Sequence, residues 1–260
     1  APAVASGVKL SNPDLSVWVI TGDGDAMSIG GNHFIHVMRR NIDMNILLFN
    51  NRIYGLTKGQ YSPTSEIGKI TKSTPLGSLD YPFNPSALAF GASGTFIART
   101  IDRELKHMGN IVKEAEKHKG TSFVEIYQNC NIFNDGAFSN LTDKNIKSDN
   151  LLVVEENMPM IFGKENDRGI ILDGLKFKSI QLGSKYSIND ILVHNPYDKN
   201  IGLLLSEMTY DENLPVPIGI FYKEDKPTYN DMMDQQIQNS KSSKVDIQSL
   251  IEGPNSWEVK

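Results

Sequence analysis

The apolar residues of this chain fall in short unbroken runs rather than in alternation. Val17-Trp18-Val19-Ile20-Thr21 is the first, and it ends in Gly22-Asp23-Gly24-Asp25. An apolar run without polar interruption predicts a strand covered on both faces. Residues 30–40 read as a helix, and Asn45-Ile46-Leu47-Leu48-Phe49 is a second buried strand closed by Asn50-Asn51. Asn84-Pro85 supplies a cap and a first-turn proline for a helix reaching Ala92. Residues 95–100 read as a strand. Asp102 is placed to cap the next helix, whose Leu105, Met108, Val112 and Ala115 share one face. Residues 122–127 form the next strand. Strands of buried composition alternating with helices predict an α/β fold built on a doubly wound parallel sheet.

Two stretches break this rhythm. Residues 52–82 are rich in Gly, Ser, Thr and Pro, and a loop of that length inside a compact domain is functional or disordered. Residues 139–150 are polar and charged, and are expected to link a core of residues 1–138 to a smaller C-terminal extension of residues 151–240. Within that extension, residues 151–182 suggest short strands with turns at Gly163, Gly169 and Gly174. Residues 188–194 and 201–208 read as helical, 217–221 as a strand, and 229–240 as a helix packing through Met232, Met233 and Ile237. Residues 241–260 read as a polar tail. At the other end, an apparent helix starts at Ala1 without an initiating Met and stops at Asn12-Pro13-Asp14. It looks entered partway, so N-terminal truncation is expected.

Composition narrows the function classes. With 39% hydrophobic and 22% charged residues in 260, the chain reads as an ordinary globular protein. A net charge of −5 argues against a nucleic-acid partner, which needs clustered positive charge. No apolar run approaches a membrane span and no signal-peptide pattern opens the chain, so no membrane role is expected. A single cysteine excludes an internal disulfide and fits a reducing, cytoplasmic setting.

The candidate chemistry sits where two of the predicted strands end. Ligands of parallel sheets bind beyond the carboxyl ends of the strands. The 25 residues between Gly24 and Asn50 accommodate one crossover helix and one strand, so both ends can reach one site. Asp23 offers a carboxylate oxygen, Asn51 an amide oxygen, and a backbone carbonyl just after Asn51 a third. That oxygen set suits Mg2+ bridging protein to phosphate. Gly22 and Gly24 allow backbone amides to approach a diphosphate. A nicotinamide fingerprint fits worse, because the third glycine is missing and an acidic residue faces the phosphates.

This GDG…NN pairing resembles the thiamine-diphosphate motif. The words from Gly22 to His33 and from Tyr54 to Thr64 (YGLTKGQYSPT) resemble the beta subunits of 2-oxoacid:ferredoxin oxidoreductases, particularly the type acting on 2-oxoglutarate. The likeness runs to about Phe138 and continues weakly through 216–221 and 227–229. It implies the diphosphate-binding domain of the thiamine-diphosphate fold, with Mg2+ held by Asp23, Asn51 and the carbonyl of Ile53. Gly24 and Asp25 would touch the diphosphate, and Gly55, Leu56 and Thr57 would lie against the cofactor. Lys58 would set substrate choice, and an ammonium there can pair with the distal carboxylate of a dicarboxylic 2-oxoacid.

The same resemblance makes Cys130 one ligand of a 4Fe-4S cluster. Such a cluster takes four thiolates, so the other three are expected in an N-terminal segment that this chain lacks. It further implies an alpha subunit carrying the pyrimidine-binding domain, with ferredoxin as electron acceptor and coenzyme A as acyl acceptor. His33 is expected near the cofactor and His36 in packing. Two rivals stand beside this reading. A non-oxidative thiamine-diphosphate enzyme would carry its pyrimidine domain in the same chain, and a noncatalytic nucleotide-binding module would use the phosphate site alone.

Overall fold

The computed structural model describes residues 1–183, 185–240, 246–257 and 259. Its main sheet contains β1 (Trp18–Gly22), β2 (Met44–Asn50), β3 (Phe96–Ile101), β4 (Thr121–Tyr127) and β5 (Leu151–Val154). Strands β6 (Ile161–Phe162), β7 (Arg168–Asp173) and β8 (Lys176–Gln181) make a separate antiparallel sheet, and β9 (Val216–Lys223) returns to the first. The order in the main sheet is β1-β2-β4-β3-β9-β5. Neighbours among β1, β2, β4 and β3 are parallel, as expected, but β9 joins β3 antiparallel and β5 pairs parallel to β9. Two strands from the region expected to form an extension therefore complete the main sheet.

The buried runs sort by period two onto two faces. Ile46 and Leu48 of β2 join Phe34, Val37 and Met38 of the helix α2, which follows α1 (Pro2–Ser11) and spans Gly31–Arg40. Phe34 meets Phe123 edge to face at 5.1 Å. Leu47 and Phe49 face the other way, with Phe96, Ala98, Val124 and Ile126. Helix α3 (Pro85–Gly91) starts as predicted, with Asn84 Oδ1 accepting the Ala87 N–H at 3.1 Å. Helix α4 (Leu105–Lys117) differs from expectation: Glu104, not Asp102, is its N-cap residue. It buries Ile111 and Ala115 while Leu105 is exposed, because the helix is rotated relative to the predicted face.

Residues 139–150 contain two four-residue helices, α5 (Ser139–Thr142) and α6 (Lys147–Asn150), and Leu141 packs with Tyr127, Phe138 and Ile218. Beyond the small sheet come α7 (Lys199–Glu207), α8 (Tyr229–Ser240) and α9 (Ile247–Glu252). The helix read over 188–194 reduces to one 3-10 turn at Ile188–Asp190, after which the chain straightens to bury Ile191 and His194. Gly163 and Gly174 take positive φ at turns, whereas Gly169 lies within β7. Residues 241–245, 258 and 260 of the expected polar tail lie outside the described residues; the rest includes α9.

Strand β1 departs from the sequence reading in one respect. It is the sheet edge, and Ile20 is 59% exposed while Val19 is buried. An unbroken apolar run cannot tell a strand covered by its own chain from one whose second face awaits another surface.

Gly219 is the residue that lets β9 approach β5. Its φ is +135°, and an added Cβ would lie 2.3 Å from the Val154 carbonyl oxygen. Gly219→Ala is expected to lower stability by about 1–3 kcal/mol, seen as an earlier denaturant midpoint. An unchanged midpoint would show that the β5–β9 seam yields freely.

Candidate functional site

Strand β1 ends at Gly22, which pairs in register with Phe49, so Asp23 stands level with Asn50 on the neighbouring strand. After Gly24 the chain makes a single wide helical turn, Asp25–Ile29, closed by the Gly30 N–H donating to the Asp25 carbonyl at 2.7 Å. Such turns recur at functional sites. The space over Gly24 is filled from the neighbouring loop. A Cβ there would lie 2.1 Å from the Tyr54 ring, and the Tyr54 hydroxyl donates to the Gly24 carbonyl at 3.3 Å.

Asp23 is only 2% exposed. The Ser62 and Thr64 hydroxyls each lie 2.5 Å from one of its oxygens, Oδ2. Burial pushes the carboxyl above its ordinary value of 3.8, while the two hydroxyls and the N–H groups of Asp23 and Gly24 oppose the rise. No cationic side chain is among these influences. A buried carboxylate without a countercharge is costly, and a divalent cation would remove that cost.

Asn51 accepts the Ile53 N–H at 3.2 Å through its side-chain oxygen, which retains a second lone pair. Ile53 is buried at the head of the loop. Among the described residues no group of three His, Cys, Asp or Glu side chains could hold a metal. An ion here would thus rely on one carboxylate, neutral oxygens and oxygens brought by a ligand. That donor set suits Mg2+ held together with a phosphate group, and suits Zn2+ poorly.

The long loop expected to be functional or disordered is ordered by its own hydrogen bonds. Ser65 Oγ donates to the Arg52 carbonyl at 2.6 Å, the Phe83 N–H to Pro63 at 2.8 Å, and the Gly68 N–H to Ser78 at 2.8 Å. Gly55, Leu56, Thr57 and Lys58 form its tip, a tight turn held by the Lys58 N–H on the Gly55 carbonyl and the Gly59 N–H on Tyr54. All four are exposed, and Asp25 is exposed as well. Lys58 is therefore not enclosed by this chain. It lines an open cleft of about 500 Å³ with Ile53, Lys69 and Lys72.

Cys130 lies in the loop after β4, partly exposed. Asn134 ties that loop to the strand-end motif: its N–H donates to the Cys130 carbonyl at 3.0 Å, and its side chain to the Asn51 carbonyl at 2.9 Å. Phe133 packs against Gly59. The structure thus connects the Cys130 loop to the Asn51 and Lys58 segments. It does not gather the histidines. His33 and His36 both sit on the exposed side of α2, opposite Phe34, Val37 and Met38, so His36 has no packing role.

Sequence reasoning missed Ser62 and Thr64, and it missed the polar chain behind Asn50. Thr64 Oγ1 is 2.9 Å from Asn50 Oδ1, and the Asn50 amide donates to Glu125 at 2.8 Å. Glu125 pairs with Arg99 at 2.8 Å, both 1% exposed. The available signal was Ser62-x-Thr64 in a loop expected to contact cofactor.

Residues 1–126 match the family model for the C-terminal TPP-binding domain of thiamine pyrophosphate enzymes. Over 266 aligned residues the chain is 45% identical to the 2-oxoglutarate oxidoreductase subunit KorB of Mycobacterium tuberculosis, covering 100% of this chain and 70% of that one. The chain belongs to the family of 2-oxoacid:ferredoxin oxidoreductase beta subunits. The 2-oxoacid:ferredoxin oxidoreductase subunit beta of Saccharolobus solfataricus is 44% identical over 142 residues, 55% of this chain and 47% of its own length. The match to this archaeal beta subunit thus spans about half of that protein. The 2-oxoglutarate:ferredoxin oxidoreductase of Magnetococcus marinus, solved with 2-oxoglutarate, coenzyme A and succinyl-CoA bound, superposes with a TM-score of 0.72 at 27% identity. That match covers 96% of this chain and 71% of the other. The beta-subunit fold, with its largely parallel sheet, is thereby established, and no helix among the described residues is long and apolar enough to cross a membrane.

Proposed function

We propose that this beta subunit serves a coenzyme A-acylating oxidoreductase that decarboxylates 2-oxoglutarate and reduces ferredoxin. The observation that carries the proposal is the meeting of buried Asp23 with Asn50-Asn51 at adjacent strand ends, together with a cleft lined by Ile53, Lys58, Lys69 and Lys72. Asp23, the Asn51 side chain and the Ile53 carbonyl would hold Mg2+, and the backbone of Gly22 and Gly24 with Asp25 would face the diphosphate. Thiamine diphosphate, when bound, supplies the nucleophile for the 2-oxo carbon and the electron sink for loss of CO2. This chain's share is to bind and orient. Its buried carboxylate fixes the cation, the Gly55-Leu56-Thr57 tip lies against the cofactor, and Lys58 meets the distal carboxylate.

A partner surface is the second part of the proposal. Leu56 is 97% and Leu76 98% exposed, and Ile29, Leu79 and Tyr81 are also open. These residues sit on the turn after β1 and on the loop that covers the site. Large apolar side chains left open on these two segments supply the kind of surface on which a partner docks. An alpha subunit carrying the pyrimidine-binding domain fits that surface and would complete the site. Cys130 is proposed as one thiolate of a 4Fe-4S cluster. The described residues do not by themselves fit such a group, since the chain has one cysteine, and the remaining ligands would come from elsewhere.

Lys58 gives the direct test of substrate choice. A hydrogen bond to a charged group contributes about 1.5–3 kcal/mol. Lys58→Ala is therefore expected to lower kcat/KM for 2-oxoglutarate relative to pyruvate by about 10–100-fold. Parallel kinetics on the two substrates read this ratio. Equal losses on both would assign Lys58 to the loop or the cofactor instead.

A further inference from the structure

The grip on Asp23 has a direction. Both hydroxyls, from Ser62 and Thr64, converge on Oδ2, and neither touches Oδ1. They arrive from a loop about forty residues downstream, and each is at most 4% exposed. Ser62 is itself fixed, its N–H donating to Ser65 Oγ at 2.8 Å. Thr64 Oγ1 also lies 2.9 Å from Asn50 Oδ1, but its one proton can go to only one of these two acceptors, and the charged oxygen of Asp23 is the stronger.

The orientation of Asn50 is not free. Its Nδ2 faces Glu125 Oε1 at 2.8 Å, and a carboxylate only accepts, so Oδ1 must face Thr64. Glu125 is in turn held by Arg99 Nε at 2.8 Å and Ser86 Oγ at 2.9 Å on its second oxygen, and Arg99 Nη1 donates to Thr209 Oγ1 at 2.6 Å. A buried polar chain thus runs from Arg99 through Glu125 to Asn50, whose oxygen lies against the Thr64 hydroxyl. Ordinary loop packing does not require two side-chain hydroxyls to converge on the same carboxylate oxygen.

We propose that Ser62 and Thr64 are positioning residues that clamp Oδ2 of Asp23 so that Oδ1 is presented to the cation, the Thr64 proton going to the charged oxygen of Asp23 rather than to the neutral oxygen of Asn50. The proposal rests on the assignment of Asp23 as a Mg2+ ligand. Neither hydroxyl touches substrate or cofactor in this scheme. Their effect is to fix the rotamer of the carboxylate and to disperse its charge before the ion arrives. Groups that orient a metal ligand in this way typically change metal affinity by about 10–100-fold when removed.

The test uses the complete complex with its partner subunit, stripped of divalent ions by chelation. Mg2+ is titrated calorimetrically in the presence of thiamine diphosphate, for the parent and for Ser62→Ala, Thr64→Val and Thr64→Ser. Thr64→Val keeps the shape of the side chain and removes the hydroxyl; Thr64→Ser restores it. The apparent Mg2+ dissociation constant is expected to rise about 10–100-fold in Thr64→Val and Ser62→Ala, and to return to within about threefold of the parent in Thr64→Ser. Thiamine-diphosphate affinity at saturating Mg2+ should stay at the parental value, which damage to the loop would not allow. Should Thr64→Val fail to assemble, Ser62→Ala alone carries the same reading.

Parental Mg2+ affinity in both hydroxyl-free variants overturns the clamp. So does a loss of thiamine-diphosphate affinity that saturating Mg2+ cannot restore. A parent complex that binds thiamine diphosphate without any need for a divalent ion overturns the metal assignment itself, and the clamp with it.

Discussion

Asp23→Asn should raise the Mg2+ concentration needed for thiamine-diphosphate binding by more than about 100-fold, beyond the range seen when only a supporting group is lost. The fold should survive. Burial already holds the Asp23 carboxyl above its ordinary 3.8, so the folded chain binds that proton more tightly than the unfolded one. Stability from this group is therefore present below about pH 3.8 and is lost as pH rises through the folded value. At neutral pH and without an ion, the ionised carboxylate works against folding, and a neutral amide of the same shape does not. Ion-free Asp23→Asn is thus expected to melt no earlier than the parent at pH 7, while its calorimetric titration with Mg2+ and thiamine diphosphate shows no binding in the parental range. A variant that binds both at parental affinity would take Asp23 off the metal.

The pairing of Asp23 with Asn50-Asn51 is legible in the sequence because two independent regularities intersect there. Buried parallel strands announce themselves as unbroken apolar runs, and ligands of such sheets bind past the strand ends. The same regularity conceals what else β1 does, since Ile20 sits in an apolar run yet faces outward. The antiparallel return of β9 is equally hidden. Pro217-Ile218-Gly219-Ile220-Phe221 reads as a strand, but nothing local says which neighbour it will choose. Ser62 and Thr64 are illegible for another reason. Hydroxyls are common in loops, and their meaning here comes from one oxygen about forty residues away. Arg99 and Glu125 sit in predicted strands as charges that sequence logic sends toward solvent, whereas they bury each other.

That buried pair gives the largest expected effect on stability. Arg99→Met should cost about 3–5 kcal/mol, because it leaves Glu125 charged and without its cation in the sheet interior. The arginine also lies 5.1 Å from both the Tyr127 and Phe221 ring centres, so it fills the seam where β9 joins the parallel strands. Methionine keeps much of that volume, which isolates the electrostatic part. Adding Glu125→Gln should then recover a large share of the loss. The amide oxygen can still accept from Asn50 and the amide nitrogen can donate to Ser86, so the polar chain stays satisfied without a buried charge. Denaturant melts of the parent, both single variants and the double variant read the coupling directly. A single-variant cost below about 1 kcal/mol, or a double variant no more stable than Arg99→Met, would show that Arg99 does not neutralise Glu125.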